Sequence, residues 1–146
     1  MSGIIVGFDG SGHSRRALEW AISEAGIRHM PLTVVTVHQA VAGYWGAPVT
    51  YPGDLDLTAA DREVAQKETD NVLDQVDEAS RPPSVSVVAV NGLAAEELLR
   101  AAAGADMLVI GSRGAGGFAK LLLGSVSTQI THHAHCPVVV IPADRT

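Results

Sequence analysis

Apolar residues recur along the chain in two alternating patterns. Short runs that are apolar throughout are typical of strands covered on both faces, because a strand with one face in water alternates apolar and polar positions. Longer segments between these runs carry apolar residues three and four positions apart, which is the stripe of an amphipathic helix. The predicted strands are residues 3–8, 32–37, 85–90, 106–110 and 137–141. The predicted helices are residues 14–28, 93–103, 126–134 and a long segment from Thr58 to the stop at Pro82-Pro83.

Polar and turn residues mark the ends of these elements. Ser11 is a suitable N-cap for the first helix, and Thr58 with Asp61 forms an imperfect capping box for the second. The segment from His38 to Leu57 is rich in Gly, Pro and aromatic residues and is predicted as a long loop, which in a compact domain is functional or mobile. Asn91-Gly92 predicts a turn after the third strand.

The alternation of strands and helices predicts an α/β fold of three layers, with an open five-stranded parallel sheet and right-handed crossovers. The pattern alone does not fix the strand order. If the order is 3-2-1-4-5, the sheet has a switch point between strands 1 and 4, where ligands of such folds bind at the carboxyl ends. The loops at that point would be Asp9 to Gly12 and Gly111 to Ser125. We expect one domain over residues 1–146, without internal repeat or linker.

Composition and charge narrow the function classes. A formal net charge of −6 argues against a general nucleic-acid binder and against an anionic-membrane binder. No apolar run approaches a membrane span, and the first residues lack the basic and apolar regions of a signal peptide. The one cysteine, Cys136, fits a reducing compartment. These features together predict a cytoplasmic protein.

The candidate chemistry lies in a glycine-rich segment before the last helix. Gly111-Ser112-Arg113-Gly114 is followed by nine residues and then by Gly124-Ser125. A strand, a glycine-rich loop and a helix start present backbone N–H groups to a phosphate, and glycine lets the ligand approach closely. The segment is not a P-loop, because Gly124 and not lysine precedes Ser125. It also lacks the Gly-x-Gly-x2-Gly spacing of a dinucleotide fingerprint.

The spacing Gly111-x2-Gly114-x9-Gly124-Ser125 resembles the ATP-binding signature of the universal stress protein family. Other segments are similar to the same family in the same order: Ile5 to Ser11, Gly92 with Ala95-Glu96, Gly124 to Ser127 and His135 to Val140. The resemblance covers the whole chain except the loop from His38 to Leu57, which is variable in the family.

The resemblance implies a flavodoxin-like domain with strand order 3-2-1-4-5 that binds ATP, which we expect to carry Mg²⁺. It also implies a homodimer that pairs the last strands, here Val138–Ile141. An exposed apolar edge strand can pair with the strands of other chains and cause aggregation, and a dimer would bury this edge. Carried over to this chain, the nucleotide-binding positions are Asp9 at the adenosine part, the Val37 backbone at the adenine, Gly111 and Gly114 at the ribose and phosphate side, and Gly124, Ser125, Val126 and Ser127 at the phosphates.

Each of these positions also has a simpler interpretation. Asp9 can accept from ribose hydroxyls, stabilise its own turn or the start of the helix, or do both. Ser125 and Ser127 can add hydroxyl donors to the phosphate site, or Ser127 can be an ordinary first-turn serine. Arg113 can contact phosphate or remain solvated. Cys136 is expected to be a small apolar residue at a strand start and not a nucleophile.

Three alternative functions remain open. The site can serve a slow ATPase or nucleotidyl-transfer enzyme, although no general base or arginine finger is evident. It can bind AMP or cyclic AMP. The chain can also be an interaction module without nucleotide, using the aromatic residues Tyr44, Trp45 and Tyr51 of the long loop. A metal site is not expected at the adjacent His132 and His133, because neighbouring residues point to different faces of a helix.

Overall fold

The computed structural model describes residues 3–39, 41–42, 48–49, 53–112 and 124–142. Their strands are β1 (Ile4–Gly7), β2 (Leu32–Gln39), β3 (Val41–Ala42), β4 (Pro48–Val49), β5 (Val85–Gly92), β6 (Met107–Gly111) and β7 (Val138–Ile141). The helices are α1 (Gly12–Arg28), α2 (Asp54–Asp74), α3 (Ala94–Ala101) and α4 (Ser125–His133), with a 3₁₀ turn at Glu78–Ser80. Of the helices that these residues form, none has the length and hydropathy of a membrane span.

Five of the strands form one parallel sheet in the order β5-β2-β1-β6-β7. These are the third, second, first, fourth and fifth strands of the sheet along the chain, so the predicted order 3-2-1-4-5 is confirmed. The first strand therefore lies in the centre, with Ile4 paired to Leu32 on one side and to Met107 on the other. The chain adds β2 and β5 on one side of β1 and then β6 and β7 on the other side. The point between β1 and β6 is therefore the switch point, where ligands of such sheets bind.

The sheet separates two apolar cores because its strands are covered on both faces. Helices α1 and α2 cover one face, and α3 and α4 cover the other. Successive residues of a strand point to opposite faces, so Ile4 and Val6 join the core under α1 while Ile5 packs against the core under α3. This double burial explains why the strands are apolar throughout.

The start of α1 agrees with the sequence prediction. The Ser11 hydroxyl accepts a hydrogen bond from the Ser14 N–H at 3.2 Å, which is the N-cap interaction. The helix ends at Arg28, and the C-cap residue His29 adopts a left-handed conformation with φ of 55°. Gly26, which the sequence put near this end, lies inside the last turn and is buried.

The prediction for the start of α2 was wrong. The helix begins at Asp54 and its N-cap is Gly53, with φ of 92° and no side-chain cap. Thr58 and Asp61 therefore lie inside the helix and do not form the expected capping box. Glycine reaches this positive φ without strain. The backbone conformation of Gly53, and not a polar side-chain cap, therefore sets the start of α2. The helix also ends at Asp74, well before the predicted stop at Pro82-Pro83.

The loop predicted from His38 to Leu57 is also partly wrong. β2 continues to Gln39, β3 and β4 form a short antiparallel pair, and α2 takes up the end of the segment. Asn91-Gly92 is not a turn, because it pairs with His38 and Gln39 at the end of the β2–β5 ladder. β2 and β5 are each eight residues long, and their mutual pairing extends each strand beyond its apolar run.

Candidate functional site

The predicted nucleotide site lies at the carboxyl ends of β1, β2 and β6. Asp9, Val37, Gly111 and Gly124 to Ser127 fall on described residues at these ends or at the start of α4. Arg113 and Gly114 lie outside the described residues.

Asp9 is held in the turn between β1 and α1. Its Oδ1 accepts a hydrogen bond from the Ser11 N–H at 2.9 Å, and its own N–H donates to the Ser14 hydroxyl at 3.2 Å. The Ser14 hydroxyl in turn donates to the Ser11 carbonyl at 2.9 Å. The carboxylate is thus an exposed, oriented turn acid at the switch point. This is the turn role that the sequence left open beside sugar binding.

The backbone of Val37 faces the switch point. The last backbone bond found between β1 and β2 in the described chain runs from the Phe8 N–H to the Val35 carbonyl, at 2.9 Å. The N–H and C=O of one strand residue point to the same side and alternate along the strand. Val37 lies two residues beyond Val35 and so directs both groups to the β1 side, past the end of that ladder. A flat polar ligand edge would meet one donor and one acceptor there.

The end of β6 is packed between the starts of two helices. A Cβ added to Gly111 would lie 3.0 Å from the backbone carbon, Cβ and carbonyl oxygen of His13. A side chain at position 111 would therefore push the first turn of α1 away from β6. Gly111 has this packing reason to be glycine, in addition to its predicted place beside the ligand.

Polar contacts tie the start of α4 to the end of β6. The Ser127 hydroxyl donates to the carbonyls of Gly111 at 2.8 Å and Ser112 at 3.1 Å, and the Gly124 N–H donates to the Ser112 carbonyl at 2.7 Å. Ser127 is 3% exposed. Its single hydroxyl proton is thus directed at the protein backbone, so the expectation that this hydroxyl donates to phosphate does not fit the structure.

The first turn of α4 offers backbone donors. The Thr128 N–H is the first to bond within the helix, to the Gly124 carbonyl at 2.9 Å. Gly124 provides no side-chain cap, and the first turn contains no acidic residue. Within the part of the chain that the structure describes, the N–H groups of Ser125, Val126 and Ser127 have no acceptor. They lie at the positive end of the helix dipole, so an anion is their natural partner.

One further contact was not predicted from the sequence. His38 Nδ1 lies 3.4 Å from Asp61 Oδ2, which joins the end of β2 to α2 beside Val37. The two residues are far apart in sequence, so no local pattern signals their contact.

Burial raises the pKa of the Cys136 thiol, although a backbone hydrogen bond with Leu108 opposes the shift. A protonated thiol agrees with the interpretation of Cys136 as an apolar residue.

Comparison with known proteins gives consistent matches over nearly the whole chain. The model of the universal stress protein family matches residues 1–142. The universal stress protein Rv2005c of Mycobacterium tuberculosis is 35% identical over 144 residues, which cover 97% of this chain and 48% of that protein. The chain thus spans about half the length of the curated relatives it matches.

Solved structures share the fold. Universal stress protein UspA from Lactobacillus plantarum has a TM-score of 0.77 at 22% identity, over 96% of this chain and 97% of that one. A universal stress protein in complex with cAMP has a TM-score of 0.67 at 23% identity, over 98% of both chains. The universal stress protein from Archaeoglobus fulgidus in complex with dAMP has a TM-score of 0.62 at 20% identity, over 97% of this chain and 98% of that one.

Proposed function

The chain belongs to the universal stress protein family, and from this premise we propose that it binds an adenine nucleotide at the switch point of its sheet. The ligand in this proposal is ATP with Mg²⁺, and the protein acts as a nucleotide-dependent sensor or regulator in a stress response. The observation that carries the proposal is the first turn of α4, where three backbone N–H groups have no acceptor within the described chain. Such a turn stabilises phosphate oxygens.

In the proposed pose, the adenine, the sugar and the phosphates of the nucleotide follow the order of the strands β2, β1 and β6. β2, β1 and β6 are neighbours, so the end of β1 lies between the Val37 backbone and the start of α4. Neighbouring strands are about 4.8 Å apart, so these two positions are separated by about 10 Å across the sheet. In the proposed pose the adenine bonds to the Val37 backbone, the sugar lies beside Asp9, and the phosphates reach Ser125 and Val126. Mg²⁺ offsets the repulsion between the phosphates and the nearby acid.

A monophosphate is the second candidate ligand. Two structural neighbours are described in complex with cAMP and dAMP, each of which carries one phosphate. Three backbone donors are sufficient for a single phosphate group, and a longer polyphosphate would need further donors. The relative affinities for ATP, AMP and cyclic AMP therefore decide between the two candidates.

The first experiment identifies the ligand directly. Mass spectrometry of small molecules released from denatured, freshly purified protein should detect an adenine nucleotide. Equilibrium dialysis with ATP, AMP and cyclic AMP, with and without Mg²⁺, should then rank the affinities. A chain that carries no nucleotide and binds none of the three in dialysis would contradict the proposal.

The Gly124→Val variant tests the site. A β-branched side chain should occupy the phosphate space and lower nucleotide affinity at least about tenfold, or about 1.4 kcal/mol. Gly124 has φ of −76° and ψ of 173°, which any residue adopts, so circular dichroism should show an unchanged fold. Gln129→Ala, at an exposed position beyond the first turn of the same helix, is the matched control and should bind within about threefold of the wild type. Equal affinities of Gly124→Val and wild type would refute the site.

Our proposal also includes a cytoplasmic homodimer paired through β7. The described residues place one neighbour, β6, beside this strand, and Val138 to Val140 are only partly buried. A second copy would cover the outer edge. Cys136 is a free thiol, which agrees with a reducing compartment.

A further inference from the structure

The sheet has a second edge strand, β5, on the side opposite to β7. Among the described residues, β2 is the one strand that bonds to β5. β5 is eight residues long, its register with β2 is continuous, and its sequence contains neither proline nor a charged residue. Natural proteins usually protect an exposed edge strand with such residues or with a bulge, because an unprotected edge pairs with another strand. The outer edge of β5 is therefore suited to pairing.

The backbone groups that point outward from β5 are arranged symmetrically about Val88. The Leu32 N–H of β2 donates to the Ser84 carbonyl at 3.0 Å, so the backbone groups of Ser84 face β2. Because this direction alternates along a strand, the residues with outward N–H and C=O groups are Val85, Val87, Ala89 and Asn91. If two β5 strands pair in antiparallel fashion about Val88, all four of these residues meet a partner.

Val88 also carries the most exposed large apolar side chain among the described residues of the sheet. It is 41% exposed, whereas the neighbouring Val87 is buried on the opposite face, under α2. In an antiparallel pair centred on Val88, the two Val88 residues form a non-hydrogen-bonded pair with Cα atoms about 4.5 Å apart. Side chains opposed in this way contact each other and stabilise the pair of strands. A second copy would therefore cover the exposed valine.

Helix α2 presents charged side chains along the same edge. Its buried face, which includes Ala65 and Thr69, packs on the sheet, and Glu68 on one flank forms an ion pair with Arg15 of α1. Since α1 packs on β1 and β6, the other flank of α2 points outward beyond β5. At 3.6 residues per turn, that outward flank carries Arg62, Gln66 and Asp70.

This outward flank is complementary to a second copy of itself. It is positive at Arg62, neutral at Gln66 and negative at Asp70, so an antiparallel copy presents the opposite order of charges. α2 packs on both β2 and β5, and strands are about 4.8 Å apart. Pairing of two β5 strands would therefore bring the two α2 axes to about 10 Å, which is a normal distance for packed helices. Arg62 of each copy would then lie beside Asp70 of the other.

The strand and the helix give the same position for the symmetry axis. Asp61 of α2 contacts His38, and His38 pairs with Asn91, three residues beyond Val88. Three residues of strand span about 10 Å, which is the length of about six or seven residues of helix. An axis through Val88 thus passes α2 within one turn of Gln66, which is the centre of the complementary row.

We infer that β5 pairs in antiparallel fashion with β5 of a second copy of this chain, with Val88 at the axis. This pairing does not depend on nucleotide binding, and it uses the edge opposite to the proposed β7 interface. It covers one well-exposed apolar side chain per copy, whereas Val138 to Val140 of β7 are all partly exposed. The β5 association is therefore the weaker of the two and needs a higher protein concentration.

The test is disulfide cross-linking of the full chain by oxidised glutathione. Val88→Cys is made together with Cys136→Ala, which removes the one cysteine of the wild type. A Cα separation of about 4.5 Å permits a disulfide, so non-reducing electrophoresis should show a covalent dimer. Pairing through β7 cannot give this product, because it would leave the two Val88 residues about 40 Å apart.

Ser86→Cys in the same Cys136→Ala chain is the matched control. Residue 86 is also exposed and lies on the same face of β5. In the inferred pair, however, the two copies of this residue would be about 14 Å apart along the strands. The control should therefore give at least about fivefold less covalent dimer than Val88→Cys.

Charge reversal then tests the contact between the helices. Arg62→Asp, added to the Val88→Cys chain, would place like charges on both sides of the axis and should slow cross-linking at least about threefold. Further addition of Asp70→Arg restores opposite charges and should restore the rate. Pairing through β5 is rejected if Val88→Cys cross-links no faster than Ser86→Cys, if Arg62→Asp leaves the rate unchanged, or if Asp70→Arg fails to restore it.

Discussion

At the scale of single residues, the Ser127 hydroxyl contacts the protein backbone, so in the proposed site it would orient the helix and not the ligand. Its hydroxyl lies at hydrogen-bonding distance from the carbonyls of Gly111, the last residue of β6, and of Ser112, the residue that follows. These contacts fix the first turn of α4 against the strand, so the free N–H groups of Ser125 and Val126 keep their position. The side chain orients the donors, while the backbone supplies them.

Ser127→Ala should therefore lower the free energy of unfolding more than it lowers nucleotide affinity. Removing this buried hydroxyl takes the donor from the Gly111 carbonyl, which costs about 1–3 kcal/mol, whereas the Ser112 carbonyl still accepts from the Gly124 N–H. Urea unfolding measures this loss. Thr131→Ala is the matched control, because its exposed hydroxyl bonds to the Thr128 carbonyl on the same helix and should change stability by less than about 0.5 kcal/mol. Equal stability of the two variants would contradict the orienting role.

At the scale of elements, α1 and the 3₁₀ turn Glu78–Ser80 approach each other with no side chain between them. A Cβ added to Gly26 would lie only 2.0 Å from the Ser80 carbonyl oxygen. Glycine inside a helix costs about 1 kcal/mol relative to alanine. The close approach of the two elements explains why the helix contains glycine at this position despite that cost.

Gly26→Ala should destabilise the protein although alanine is the better helix former. The turn would have to move, and overpacking of this kind typically costs about 1–3 kcal/mol. In Gly12→Ala, in the first turn of the same helix, the added Cβ would meet no atom of the described residues within 4 Å, and the change should be neutral or slightly stabilising. Thermal unfolding of both variants measures the difference, and a Gly26→Ala chain that melts above the wild type would contradict the packing model.

Elements with a local signal could be predicted, and those fixed by distant contacts could not. The Ser11 cap and the apolar runs of the strands are local, and both agree with the structure. The start of α2 depends on the backbone conformation of Gly53, and the extension of β5 through Asn91-Gly92 depends on pairing with β2. The same division holds within the site. The start of α4 at Gly124-Ser125 could be predicted, but the hydroxyl contacts of Ser127 depend on how α4 packs on β6.

At the scale of the whole molecule, the direction of backbone groups in β7 bears on the proposed dimer. The Leu108 N–H donates to the Pro137 carbonyl and the Ser112 N–H donates to the Ile141 carbonyl. Residues 137, 139 and 141 therefore face β6, and by alternation Val138 and Val140 direct their N–H and C=O groups to the outer edge. These two residues would form the backbone bonds of a dimer.

Val140→Pro should weaken the proposed dimer and leave the subunit folded. Proline removes an outward N–H and is tolerated at such positions of an edge strand. Sedimentation velocity should show a shift from dimer to monomer. Val139→Pro is the contrasting control, because it removes a bond within the sheet and should destabilise the subunit itself. A Val140→Pro chain that sediments as a dimer at the wild-type concentration would reject pairing through β7.

The central position of β1 also constrains the order in which the chain can fold as it is synthesised. β1 bonds to β2 on one side and to β6 on the other, but β6 is made only after β2, α2, β5 and α3. A nascent chain therefore keeps one edge of Ile4–Gly7 without its partner until Met107–Gly111 leaves the ribosome. An unpaired apolar edge is the kind of surface on which incomplete chains aggregate and chaperones act.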